Sequence, residues 1–268
     1  MALGVNTNVG AMVALQNLSK TNRDLEVTQG RINTGLAVAG AKDNGGIYAI
    51  AQAMRSDVAS LGAVGQSLGR AKSVVDVALA AGESISDLLV QMKEKAVAAA
   101  DASTDTTARA ALNEDFVALR KQISSIVSNA AFNGVNLINT ATGFQSLASA
   151  DGSSKISVNA ENLSLGGSII TIAATGQVNT QSAASTMLGT VNTSLTNANR
   201  ALARLGSISK RLDTQMEFNN KVSDALKAGI GNLVDADLSV ESARLQSLQV
   251  KQQLGLQALS IANGAPQT

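Results

Sequence analysis

The stretch 112–130 spaces its apolar residues alternately by four and three: Leu112, Phe116, Leu119, Ile123, Ile126 and Ala130. That rhythm gathers them into one narrow seam of a helix and predicts coiled-coil-like packing. Residues 69–100 keep a similar rhythm through Val74, Ala78, Ile85, Leu88, Met92, Ala96 and Ala99. Residues 188–212 do so through Leu188, Val191, Leu195, Ala198, Leu202, Leu205 and Leu212, with Ser209 as one polar break. "ADASTDTTARAA" separates the first two stretches, and its Ser, Thr and Asp suit a short turn and an N-cap. The pattern predicts three long helices packed side by side.

Between the second and third, roughly 133–185, the texture changes to Gly, Asn, Ser and Thr. Ile156/Val158, Leu163/Leu165 and Ile170/Ile172 alternate with polar residues as half-buried strands do. Asp151–Gly152 and Gly166–Gly167 are turn signals. A small antiparallel β insert is expected there.

The two ends of the chain carry seams of their own. Leu18, Leu25 and Ile32 recur every seven residues, with Leu15 and Leu36 close by. Leu238, Leu245 and Leu259 keep the same interval, with Gln252 at the missing step. The last of these stretches is unusual. At about 100° per residue, Leu245, Leu248, Leu256 and Leu259 fall on one side of a helix. Val250, Leu254 and Ile261 fall roughly opposite. A surface helix ordinarily has one apolar stripe. An exposed stripe at each end of a monomer would be a liability, so the two ends are expected to pack on each other. The second stripe then needs a partner from another molecule.

Composition narrows the chemistry. The five aromatic residues of 268 are Tyr48, Phe116, Phe132, Phe144 and Phe218, which suits thin layers of closely packed helices better than one thick core. The single proline, Pro266, leaves the first 265 positions free of the residue that breaks helix interiors. A formal net charge of +1, with no basic segment and no interleaved aromatics, gives nucleic acid neither an electrostatic footprint nor a stacking platform. No run of about 18 apolar residues marks a membrane span. The first twenty residues lack the basic n-region of a cleaved secretory signal. With no cysteine and no histidine, thiolate nucleophiles, disulfides, His–metal sites and His general bases are all excluded.

The motifs that suggest chemistry are incomplete. "SISK" (207–210) has the S-x-x-K spacing of serine acyltransferases but none of the companion motifs. "GIGNLV" (229–234) begins like a dinucleotide-binding loop, yet Val234 stands at the third glycine and no strand precedes it. Asp235, Asp237 and Glu241 lack the glycine and spacing of a calcium loop, and suit stabilisation of a helix N-terminus instead. No enzyme activity and no cofactor are expected. Asn17, Asn162 and Asn192 match N-x-[ST] but read as chance without a signal peptide.

Several short elements, in order, point to a family. "VNTN" (5–8), "NL" (17–18) and "RINTGLAVAGAKDNGGIYAIA" (31–51) occupy the first part of the chain. "AFNGVNLI" (131–138) follows the second predicted rod helix. "NLVDADLSVESARLQ" (232–246) and "QVKQQLGLQALSIANGAPQ" (249–267) close it. Their order and spacing across both termini resemble those of a bacterial flagellin, the subunit of the flagellar filament, along the whole chain.

The resemblance implies a mainly α fold of long antiparallel helices, with a coiled coil formed by the N- and C-terminal segments. Residues 1–44 with 228–268 would form the terminal core domain. Residues 45–227 would form a helical rod, with the β-hairpin region at about 133–185. It implies a homopolymer that forms the extracellular filament and serves swimming. Export would run unfolded through the flagellar type III apparatus without a cleaved leader. The implied partners are other subunits, the export apparatus and its chaperone, the filament cap and the hook-junction proteins. Assembly contacts are expected from Val5, Val9, Leu18, Leu25, Arg31, Ile32, Leu36, Lys42 and Asp43 of the first arm. The second arm would contribute Leu238, Leu245, Leu248, Gln252, Leu256, Leu259 and Asn263. Leu112, Phe116, Leu119, Ile123, Ile126, Leu195, Leu202 and Leu205 would form the rod core. Phe132, Asn133, Gly134, Asp235 and Asp237 carry the family motifs.

Two departures stand out. Flagellins usually continue beyond Pro-Gln with a short Leu/Ser-rich tail, whereas this sequence ends at Thr268. Some also carry a basic Arg-rich patch on the first rod helix that an animal immune receptor recognises. Here "VQMKEKAV" (90–97) keeps Glu94 but has Gln91, Lys93 and Lys95 where the family has Arg, Arg and Leu, so weak recognition is expected. Two neighbouring readings are a hook–filament junction protein, which shares the terminal arms, and a soluble signalling coiled coil.

Overall fold

The computed structural model describes residues 8–264; Val5 and Pro266 lie outside the described residues. In chain order the elements are α1 (Val9–Thr34), α2 (Gly45–Ala100), α3 (Thr106–Asn129), β1 (Phe144–Leu147), β2 (Lys155–Val158), α4 (Gln181–Val234) and α5 (Leu238–Gly264). The fold is mainly α with a small antiparallel β insert. It divides into two compact units, Ala59–Ser223 and the paired ends Met1–Val58 with Asp224–Thr268.

In the first unit, the expected seams of α2, α3 and α4 meet in one core. All seven seam positions predicted on α2 are buried, from Val74 to Ala99. On α3, Phe116 and Ile123 are fully buried, while Leu112, Leu119 and Ile126 pack partly buried against them. On α4, Val191, Ala198, Leu205 and Leu212 are fully buried, Leu195 packs partly buried against the core, and Leu202 is half-buried. The turn before α3 is capped as expected. Asp105 accepts a hydrogen bond from the Ala108 amide at 2.7 Å, satisfying one of the amides left open at a helix start.

The β insert is smaller than expected. Only β1 and β2 pair, antiparallel, in the register Phe144↔Val158, Gln145↔Ser157, Ser146↔Ile156 and Leu147↔Lys155. Gly143 precedes β1 under the Val158 carbonyl, where a Cβ would collide with that oxygen. The expected strand at Leu163/Leu165 and the one at Ile170/Ile172 do not form. Leu163, Ile170 and Ile172 are fully buried, as their alternation predicted, but their neighbourhood bonds elsewhere. The Thr171 amide donates to Ser194 Oγ of α4 at 3.0 Å, and the Val178 amide to Asn113 Oδ1 of α3 at 2.8 Å. The Leu163 amide donates to the Ile138 carbonyl at 2.9 Å. Helix side chains and a neighbouring loop satisfy the buried backbone where a sheet ladder would have done so. At both turn signals the glycine takes positive φ, 71° at Gly152 and 75° at Gly166.

The second unit is built on two chain reversals that bind each other. The Ala37 amide donates to the Val234 carbonyl at 2.7 Å and the Ala236 amide to the Gly35 carbonyl at 2.9 Å. Leu36 and Asp235 form an isolated antiparallel bridge. Val38, Ala51 and Val234 make a small buried cluster beneath them, with Leu36, Ile47, Tyr48 and Ile230 against it.

Candidate assembly surface of the terminal helices

From this double reversal α1 and α5 run antiparallel along each other. The pairing is marked by Arg31–Glu241, Asn22–Gln252, Leu18–Gly255 and Asn8–Ala262. On α5 the half-buried or buried positions are Glu241, Leu245, Leu248, Gln252, Gly255, Leu259 and Ala262. On α1 they include Ala11, Ala14, Leu18, Thr21, Leu25, Thr28 and Ile32. Both sets step by fours and threes, the spacing of an antiparallel coiled-coil seam.

The seam is thin and contains much polar material. Leu18, Thr28, Glu241 and Leu248 are its buried members. Arg31 Nη1 donates to Glu241 Oε1 at 2.8 Å, while Arg31 Nε and Glu241 Oε2 are buried without a partner among the described residues. Gln252 Nε2 donates to Asn22 Oδ1 at 2.9 Å, which explains the break in the leucine repeat at this step. Asn8 caps α1 through the Ala11 amide at 3.0 Å and donates to the Ala262 carbonyl at 2.6 Å. At Gly255 the helices come close enough that an added Cβ would stand 3.2 Å from Leu18 Cδ1.

The other faces are apolar and open. Val250, Leu254 and Ile261 project away from the seam, Ile261 being 74% exposed against 6% for Leu248. On α1, Val9, Met12, Val13, Leu15 and Val27 are exposed. At 100° per residue Val9, Val13 and Val27 stand about 140–180° from Leu18, on the far side of the helix. Both terminal helices therefore carry a seam toward each other and a second apolar face turned outward.

Two expected seam residues lie elsewhere. Leu256 and Leu238 are about half exposed, and so is Leu15. Gly255 and Glu241 take the seam positions next to Leu256 and Leu238, because the contact line is narrower than the apolar sector of the helix. Asn263 is exposed. Lys42 is exposed and makes no ion pair among the described residues. Asp43 staples its own loop, accepting from the Ala39 and Gly40 amides at 2.9 and 3.0 Å. Asp237 caps α5 through the Ser239 and Val240 amides at 2.9 and 3.2 Å. Phe132, Asn133 and Gly134 lie in a tight turn closed by paired hydrogen bonds between Phe132 and Val135, with Asn133 at φ 48° and Gly134 at φ 78°.

Sequence reasoning missed buried polar residues that complete the rod. Arg120 lies on the α3 seam between Phe116 and Ile123 and donates to the Gly176 carbonyl. Arg109 Nε donates to the Ala99 carbonyl at 2.8 Å, closing the α2–α3 turn. Arg204 of α4 grips Glu161 of the insert through two bonds of 2.6 Å, and this partner raises the Arg204 pKa further above its ordinary value. The signal lay in position: Arg109 extends the repeat one step before Leu112, and Arg120 stands four residues after Phe116 and three before Ile123, beside the expected Leu119.

A family model for the bacterial flagellin N-terminal helical region matches residues 5–143, and one for the C-terminal helical region matches residues 188–268. Flagellin FljM of Caulobacter vibrioides is 53% identical over 265 residues, covering 98% of this chain and 96% of that one. A flagellin of Brucella melitensis is 37% identical over 272 residues, covering 98% of this chain and 96% of the other. The crystal structure of Bacillus cereus flagellin superposes with a TM-score of 0.50 at 25% identity, covering 56% of this chain and 86% of that chain. With both terminal regions matched, and relatives aligned along nearly its whole length, the chain belongs to the bacterial flagellins, structural subunits of the flagellar filament.

Proposed function

We propose that this subunit polymerises through the outward apolar faces of α1 and α5, and that the resulting filament converts motor torque into thrust. The observation that carries the reading is the second stripe. Val250, Leu254 and Ile261 on one helix and Val9, Val13 and Val27 on the other are left exposed by the monomer. Exposed apolar stripes of this kind are a burden unless another surface covers them. Family membership supports neighbouring copies of the same chain as the cover. In this reading the subunit leaves the cell unfolded through the flagellar type III apparatus, held beforehand by a chaperone. It refolds at the growing tip under the filament cap, on a base of hook-junction proteins.

Two measurements test this. Purified protein mixed with short sheared seeds of itself, viewed by negative-stain electron microscopy, should grow long tubes; a population that stays monomeric or dimeric would contradict the filament role. In cells lacking their own flagellins, immunoblots should find the chain outside only when the export apparatus is intact. Secretion without that apparatus would overturn the export route.

A further inference from the structure

Two exposed stripes of opposite charge lie on the unit Ala59–Ser223. On α2, Glu83, Asp87 and Glu94 are exposed, with Val90 and Val97 exposed between and beyond them. The five positions step by four, three, four and three. None of the three carboxylates has an ion-pair partner within 4 Å among the described residues; Lys95, beside Glu94, pairs with Asp115. On α4, Arg200, Arg204 and Arg211 are exposed and follow the same four-then-seven spacing as the three acids. Each set runs roughly 17 Å along its helix and stays within about 40° of one face. Arg204 is neutralised by Glu161. Arg211 bonds only the Ser157 carbonyl, at 2.8 Å, and Arg200 has no protein partner among the described residues, so both keep their charge uncompensated. Arg200 also borders a cleft of about 270 Å³ shared with Ser168, Ile169, Asn197 and Arg204.

The stripes face different ways. Arg204 and Arg211 turn toward the β insert, which they touch at Glu161 and Ser157. α2 meets the same insert through Ser67, whose hydroxyl lies 3.1 Å from that of Ser146. At 100° per residue Glu83, Asp87 and Glu94 stand about 160–200° around α2 from Ser67 and about 100–140° from Gly82, which lies against Leu163 of the insert, so they point away from the insert. One molecule cannot bring its own two stripes together. Two copies side by side can. A contact between different surfaces of identical subunits is heterologous, and it continues from copy to copy without closing when the rotation does not return on itself.

We propose that the acidic α2 stripe of one subunit docks against the Arg200/Arg211 stripe on α4 of a second copy. Val90 and Val97 seat in the contact and the charges fix its register. The proposal rests on the filament reading above and names a contact separate from the terminal helices. Charge complementarity of this kind acts mainly on encounter rate and on selection of the right partner.

The test is elongation of wild-type seeds by full-length subunits, followed by light scattering and electron microscopy, with circular dichroism confirming that each variant is helical. Reversing the acids (Glu83→Lys, Asp87→Lys, Glu94→Lys) should slow elongation roughly ten-fold or more, and so should Arg200→Glu with Arg211→Glu. A chain carrying all five changes should again elongate seeds made of itself. The milder Glu83→Gln, Asp87→Asn, Glu94→Gln set serves if a reversed variant loses helix, and should slow growth and flatten its dependence on salt. Wild-type rates from either reversed variant, or failure of the five-fold swap to recover self-growth, would overturn the contact. If wild-type subunits fail to extend their own seeds, the filament reading itself falls, and this contact with it.

Discussion

Phe116 shows how single side chains hold the helical unit together. It is fully buried among α2, α3 and α4, and is one of only five aromatic residues in the chain. Phe116→Ala should lower stability by about 3–5 kcal/mol, read from chemical denaturation followed by circular dichroism. A loss below about 1 kcal/mol would mean the site collapses to fill the gap. Asp151 acts on a smaller scale. In the β1–β2 turn it accepts from the Ser149 hydroxyl at 2.5 Å and the Ser153 amide at 3.1 Å. The Ser149 hydroxyl bond is the largest cause holding its pKa at about 2, below the ordinary 3.8, with Ser153 next. Because the folded pKa is depressed, its contribution is present above the ordinary value and lost as pH falls through about 2. The Asp151 side-chain carboxyl resonance should therefore titrate near pH 2; a midpoint near 4 would show that the turn's hydrogen bonds do not hold in solution.

At the scale of elements, the legible features were those set by repeat. The four-three spacing follows the rod helices because burial on a helix follows angular position, although on α3 Arg120 and Val127 are buried beside the half-buried Leu119 and Ile126. The termini were legible in the same way, and the two stripes of 245–263 correspond to an inward and an outward face. The insert was harder. Its alternating apolar residues are buried as predicted, yet side chains of α3 and α4 satisfy its backbone at Val178 and Thr171, and no local pattern announces such distant partners. The α1–α5 seam was misplaced at Leu256 because leucine outranks glycine in any apolar pattern, while the structure puts Gly255 at the close approach to Leu18. That distinction is testable. Gly255→Leu should drive the helices apart and lower the melting temperature of the terminal pair. Leu256→Ala should leave it nearly unchanged. Thermal melts monitored at 222 nm compare the two, and equal effects would contradict the assigned seam.

In the whole molecule, different residues hold one subunit together and would join it to its neighbours. Leu245 and Leu259 lie half-buried on the line facing α1, so replacing either with Asp should loosen the terminal pair and block assembly as a consequence. Leu254 and Ile261 make no such contribution to the monomer, being mostly exposed. If this outward face joins neighbouring copies, seeded filament growth by a Leu254→Asp, Ile261→Asp subunit, imaged by negative-stain electron microscopy, reads it directly. The variant should keep the wild-type helical circular dichroism spectrum and add no visible length to wild-type seeds. Tubes of wild-type length from that variant would show that the outward stripe does not carry assembly.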